Sequence, residues 1–169
     1  RKRDVEEEGD AAGAGPLFGS SLTEALAEAG ATVLTASRSR DKNEAYAADL
    51  RDRGFAAHGL AFDVSDADSI TALRDEVLNR FGRLDVLVNS AIDRRGYGKG
   101  LDEQTPADWA ASAQSDMVGL FAICQAFLPH MRQERRGSII NISSIYGVVA
   151  NDPGIYADTD MKQPPNYNF

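Results

Sequence analysis

Short apolar blocks alternate with amphipathic stretches along most of this chain. Residues 31–37, ATVLTAS, are compact and rich in β-branched side chains, which predicts a buried strand. Similar blocks at 56–64 (AAHGLAFDV), 83–91 (RLDVLVNSA) and 137–143 (GSIINIS) predict three more, the third of these four reading as a strand covered on both faces. Between the blocks, apolar positions recur at helical spacing. Leu22, Ala25, Leu26 and Ala29 mark one face of a helix that Gly30 closes. Residues 40–54 form a second helix ending at Gly54. Ser65 is expected to cap a third, with Asp66 and Asp68 in the first turn and Ile70, Leu73, Val77 and Phe81 as its stripe. Thr105 before Pro106 predicts the N-cap and first position of a long helix reaching about Arg132. Its buried side is expected to carry Met117, Leu120, Phe121, Cys124, Leu128 and Met131, and residues after Gly147 read as loop.

Strands alternating with helices predict an α/β fold: a doubly wound, three-layer parallel sheet of Rossmann type. In such a sheet an apolar strand feeds directly into the first glycine turn. Here residues 1–12 read RKRDVEEEGDAA, and Glu6, Glu7 and Glu8 in a central strand would each cost several kcal/mol in desolvation. The expected organisation is an atypical charged segment, 1–12, followed by a partial dinucleotide-binding domain, 13–169.

Composition narrows the function classes. A net charge of −8 argues against general affinity for nucleic acid or anionic membrane. No apolar run approaches the roughly 20 residues of a membrane helix, and the charged N-terminus lacks the apolar core of a secretory signal. Cys124 is the sole cysteine, so no internal disulfide is possible and a cytoplasmic location is the expectation. With only His58 and His130 as histidines, no metal-ligand spacing exists.

The candidate chemistry begins in GAGPLFG. Gly13, Gly15 and Gly19 precede a helix, where backbone N–H groups and the helix dipole favour a pyrophosphate. At the end of the next strand, where an acid would bond the ribose of NAD, the chain has Ser37 and Arg38. An arginine there suits the 2′-phosphate of NADP. No Gly-Lys-Ser/Thr follows the glycines, which excludes a P-loop phosphotransferase.

GAGPLFG, FDVSD, LDVLVNSA and GSIINISS followed by a tyrosine occur in the order and approximate spacing of the short-chain dehydrogenase/reductases, which the chain resembles from residue 13 onward. The resemblance implies an oxidoreductase that moves a hydride between nicotinamide and an alcohol or ketone, with NADP preferred and NAD possible. It implies that Gly13, Gly15 and Gly19 hold the pyrophosphate, that Asp63 and Val64 contact adenine, and that Asn89, Ser90 and Ala91 lie beneath the cofactor ribose. Ser144 matches the catalytic serine, which stabilises the substrate oxygen, and Tyr167 the tyrosine general acid/base. Asp116 occupies the place of an asparagine in the proton relay, an ionised acceptor where the family has a donor. The complete protein is expected to be a homo-oligomer paired through the long helix.

In the family a lysine four residues after the tyrosine lowers the phenol pKa. Four residues after Tyr146 stands Ala150 and after Tyr156 stands Asp160, while position 171 lies past Phe169. Ile92 also replaces a glycine, and the glycine spacing departs from the family's usual one. The 169 residues are therefore expected to be inactive as given and marginally stable alone. The alternative is a non-catalytic dinucleotide-binding or interaction module of the same fold.

Overall fold

The computed structural model describes residues 18–93, 99–149, 152–156, 158 and 159. Their order is α1 (Gly19–Glu28), β1 (Val33–Ser37), α2 (Arg40–Asp52), β2 (Ala57–Ala61), α3 (Ala67–Phe81), β3 (Val86–Asn89), α4 (Pro106–Ala113), a π turn (Gln114–Gly119), α5 (Leu120–Gln133) and β4 (Ser138–Asn141). Short 3-10 turns follow at Ile145–Gly147 and Pro153–Tyr156, the second within the stretch read as loop. The four strands fall inside the four apolar blocks, trimmed at their ends.

Among the described residues the strands form two parallel pairs. β1 runs beside β2 from Val33↔Ala57 to Ser37↔Ala61, and β3 beside β4 from Val86↔Ser138 to Asn89↔Asn141. No pairing joins β1 to β3 among these residues. The parallel α/β architecture is as expected, seen in the described residues as two half-sheets, and Val86, read as covered on both faces, is 39% exposed.

Side chains join the halves. One cluster gathers Ala36, Leu60 and Phe62 from the first half-sheet, Ile70, Leu73 and Val77 from α3, Leu87 from β3, and Ile123, Phe127 and Met131 from α5. A second, smaller cluster of Ala47, Leu50 and Ala57 lies under α2. There Gly59 permits close approach: a Cβ at this position would collide with the backbone of Glu44. The Gly59 N–H donates to the Glu44 carboxylate at 2.9 Å, and this bond together with Arg51 holds the Glu44 pKa below its ordinary value.

Asn43 ties α2 to the ends of both strands. Its side-chain oxygen accepts from Ser37 Oγ at 2.8 Å, and its amide nitrogen donates to the carbonyls of Ser37 and Leu60. Buried amides of this kind need full hydrogen bonding to be tolerated.

Three helix expectations are corrected. In α1 the buried face is Gly19, Thr23 and Ala27, with Leu22 and Leu26 half-buried and Ala25 and Ala29 exposed. The small-residue face packs toward β1, while the leucines turn into a cavity. α3 is capped by Asp66, which accepts from the Asp68 N–H at 3.0 Å, whereas Ser65 bonds Asp63 instead. The long helix is interrupted by the π turn, and its buried residues are Ser112, Ser115, Gly119, Ile123, Phe127 and Met131. Met117 and Phe121 are 65% and 63% exposed. This helix is apolar on two faces, and the wider π turn shifts the phase between its parts.

Thr105 caps α4 as expected, in a reciprocal box with Asp108: the Asp108 N–H donates to Thr105 Oγ1 at 3.2 Å, and the Thr105 N–H donates to Asp108 Oδ2 at 2.8 Å. Lys99 adds a bond to the same carboxylate at 3.0 Å.

Replacing Phe127 with alanine should destabilise the fold by about 3–5 kcal/mol, the usual cost of deleting a buried aromatic, measured by urea unfolding. A second prediction concerns acid. The Thr105 backbone N–H, then Lys99 and the Thr105 hydroxyl, lower the Asp108 pKa to about 2. The unfolded value is about 3.9, so the stabilisation is complete above about pH 4 and lost as pH falls through about 2. Asp108→Asn should therefore lower the unfolding midpoint at neutral pH, with the difference from wild type vanishing near pH 2.

Candidate functional site

A cavity of about 1140 Å³ opens between β1 and β3, and its lining joins segments far apart in sequence. Gly19 at the start of α1, Ser37 and Arg38 at the end of β1, and Asp63 and Val64 just past β2 all reach it. So do Asn89, Ser90 and Ala91 at the end of β3, Asp116 in the π turn, and Ser144 after β4. These ten candidates are brought together by the fold. Gly13, Gly15 and Tyr167 lie outside the described residues.

The arrangement follows from topology. In open parallel sheets the loops at the carboxyl ends of the strands converge, and ligand groups sit outside those ends. Gly19 is buried in the first turn of α1, where Phe18 occupies the N-cap and supplies no side-chain bond to the helix N–H groups. Such a helix end leaves backbone donors for an anion.

At the end of β1, Ser37 and Arg38 differ in environment. Ser37 is buried and donates to Asn43, so its hydroxyl serves the interior. Arg38 is exposed on the cavity rim. Past β2, Asp63 Oδ1 accepts from the Ser65 hydroxyl at 2.6 Å and the Ser65 N–H at 2.8 Å. These bonds fold 63–65 into a tight turn.

The turn is docked on the long helix. Gln114 Nε2 donates to the Ser65 carbonyl at 3.2 Å, and a Cβ at Gly119 would collide with the Val64 carbonyl. Glycine at 119 is therefore required by packing. Gln114 and Gly119 escaped the motif-based reading; the glycine three residues after Asp116 was the available signal.

Asn89 donates through Nδ2 to Asn141 Oδ1 at 2.8 Å and contacts Cys124 Sγ at 3.4 Å. This links β3, β4 and α5 beneath Ser90 and Ala91. Asp116 Oδ1 accepts from the Asp93 N–H at 2.9 Å, pinning the segment that contains Ile92. Ser144 is half-buried and accepts from the Tyr146 N–H at 3.2 Å, which starts the 3-10 turn. No group of three or more His, Cys, Asp or Glu residues suited to a metal occurs among the described residues. None of the described helices is long and apolar enough to cross a membrane.

The cavity suits an extended dinucleotide in the chemistry of its lining. It offers an uncapped helix N-terminus, a cationic rim at Arg38 and polar groups at the strand ends, with apolar walls between them.

Comparisons with known proteins agree. The chain is 36% identical over 144 residues to the 3-oxoacyl-[acyl-carrier-protein] reductase FabG of Staphylococcus aureus (strain Mu50 / ATCC 700699), covering 84% of this chain and 57% of that protein. It is 37% identical over 142 residues to D-threitol dehydrogenase of Mycolicibacterium smegmatis, covering 83% and 53%. Among solved structures, a gluconate 5-dehydrogenase from Burkholderia cenocepacia J2315, in complex with NADP and tartrate, superposes with a TM-score of 0.77 at 35% identity, covering 92% of this chain and 56% of that one. The chain thus spans about half the length of the curated relatives it matches. The short chain dehydrogenase family model matches residues 11–157, and with the shared Rossmann-type fold this places the chain in the short-chain dehydrogenase family.

Proposed function

We propose that this chain forms the cofactor-binding part of an NADP-preferring oxidoreductase that interconverts an alcohol and a ketone. The carrying observation is the convergence of Gly19, Arg38, Asp63, Asn89, Asp116 and Ser144 on one cavity. The NADP bound to the gluconate 5-dehydrogenase neighbour supports the cofactor assignment. When bound, the nicotinamide supplies or accepts the hydride.

The protein's own groups do the rest. The uncapped start of α1 holds the pyrophosphate, with Gly13 and Gly15 assigned to the same turn. Arg38 pairs with the 2′-phosphate through a charge-assisted bond. Asp63 and Val64 border the adenine, with NAD remaining a usable substitute. Ser144 donates to the substrate oxygen, and Tyr167 exchanges the proton with it. Asp116 holds the 90–93 segment in place. The exposed stripe of Met117, Val118 and Phe121 supports pairing of the complete protein through the long helix.

A second reading, a binding module without chemistry, is favoured by Asp116, whose carboxylate is engaged by the Asp93 backbone. Ala150 stands four positions after Tyr146 and Asp160 four after Tyr156, so neither of these tyrosines has a lysine one turn on. A phenol near pKa 10 is only about 0.1% ionised at pH 7.

Arg38→Ala should weaken NADPH binding by about tenfold or more, the scale of a charge-assisted bond, while NADH binding stays within about twofold. Fluorescence titration of both cofactors decides it: equal loss for the two would remove Arg38 from 2′-phosphate recognition. A polypeptide of these 169 residues should bind NADPH yet show no steady oxidation of it with polyol-derived ketones. Turnover near the roughly 10 per second typical of enzymes would overturn the claim of inactivity.

A further inference from the structure

The turn at 63–65 borders the part of the cavity assigned above to adenine. Its shape comes from its own neighbours. Asp63 Oδ1 accepts from the Ser65 N–H and hydroxyl, and the Asp66 N–H donates to the Asp63 carbonyl at 3.1 Å. The Asp63 N–H donates to Ser69 Oγ at 2.9 Å. All four bonds stay within residues 63–69. They set the form of the turn without fixing where it stands against the rest of the cavity.

The long helix supplies that reference. Gln114 donates through Nε2 to the Ser65 carbonyl at 3.2 Å, and the Val64 carbonyl occupies the space that a Cβ at Gly119 would need. Gln114 and Gly119 are the first and last residues of the π turn. In an α-helix, positions five apart point about 140° away from each other. A π turn bonds residue i to i+5 and so brings these two positions to one side. Gly119 sets how near the 63–65 turn comes, and Gln114 draws it in. Gln114 does not itself line the cavity, although Asp63, Val64 and Ser65 do. Its influence on a ligand there passes through the turn.

We propose that Gln114 is a positioning residue for the adenine end of the cofactor site. Its amide holds the Ser65 carbonyl and so places Asp63 and Val64 where the base of the cofactor meets them. The inference rests on the cofactor reading above and deepens it. Asp116, two residues further along the same π turn, pins the 90–93 segment instead. The two ends of the site thus have separate holdfasts on one element, and the effect of Gln114 is confined to the adenine end.

The test uses the full 169-residue chain with bound NADPH followed by fluorescence. Two fragments compete for the site: adenosine 2′,5′-bisphosphate and nicotinamide mononucleotide. Gln114→Met removes the donor at similar length, and Gln114→Glu turns it into an acceptor facing a carbonyl. Both variants should bind the bisphosphate about threefold to tenfold more weakly, the scale of one neutral hydrogen bond, with the mononucleotide unchanged within about twofold. Equal losses for the two fragments would mark a general structural defect and overturn the proposal. So would full bisphosphate affinity in both variants, or NADPH that the bisphosphate cannot displace from the unaltered chain. Failure of the unaltered chain to bind NADPH would overturn the cofactor reading itself, and this inference with it.

Discussion

Burial of one shared cluster, with Phe127 among its most enclosed members, is the interaction on which the remaining architecture rests. In a continuous parallel sheet, hydrogen bonds between central strands would share this task. Among the described residues, dispersion and apolar burial from α3 and α5 bring the two strand pairs together. Apolar burial is non-directional. It fixes how close the halves lie but constrains their relative orientation less than a ladder would.

More directional contacts act at the site. The turn at 63–65 is pressed against Gly119 and held by Gln114, and Asp116 lies on the intervening π turn. An extra residue per turn redirects side chains that an α-helix would aim elsewhere, and π turns of this kind recur at functional sites. The first half-sheet's loop and the second half's helix therefore meet at close range, where loss of the Gln114 amide or a side chain at 119 would loosen the junction.

Local signals were legible where a residue type had one physical use. Thr105-Pro106 could only open a helix, and compact β-branched blocks could only be strands of a parallel sheet. Faces were less legible. α5 carries apolar residues on both sides, so periodicity alone did not separate Ile123 and Phe127, which are buried, from Met117 and Phe121, which are not. The phase change across the π turn comes from tertiary packing on Val64 and leaves no mark in hydropathy. Ser65 and Asp66 are both competent caps, and the choice between them was decided by Asp63, which engages Ser65. Motif residues were found because they are chemically conspicuous; Gln114 and Asn141 are ordinary amides whose importance is purely positional.

Asn43 has a consequence for how this fold can diversify. One buried amide joins Ser37 and Leu60 with α2, so the end of β1 is shaped from the interior. Arg38, the next residue, projects from that rigid platform and is exposed. Support and the proposed recognition are thereby carried by adjacent but separate positions. A lineage can exchange the outward residue and explore a different ligand phosphate pattern while the inward network stays intact, a division that makes selectivity evolvable without refolding the scaffold.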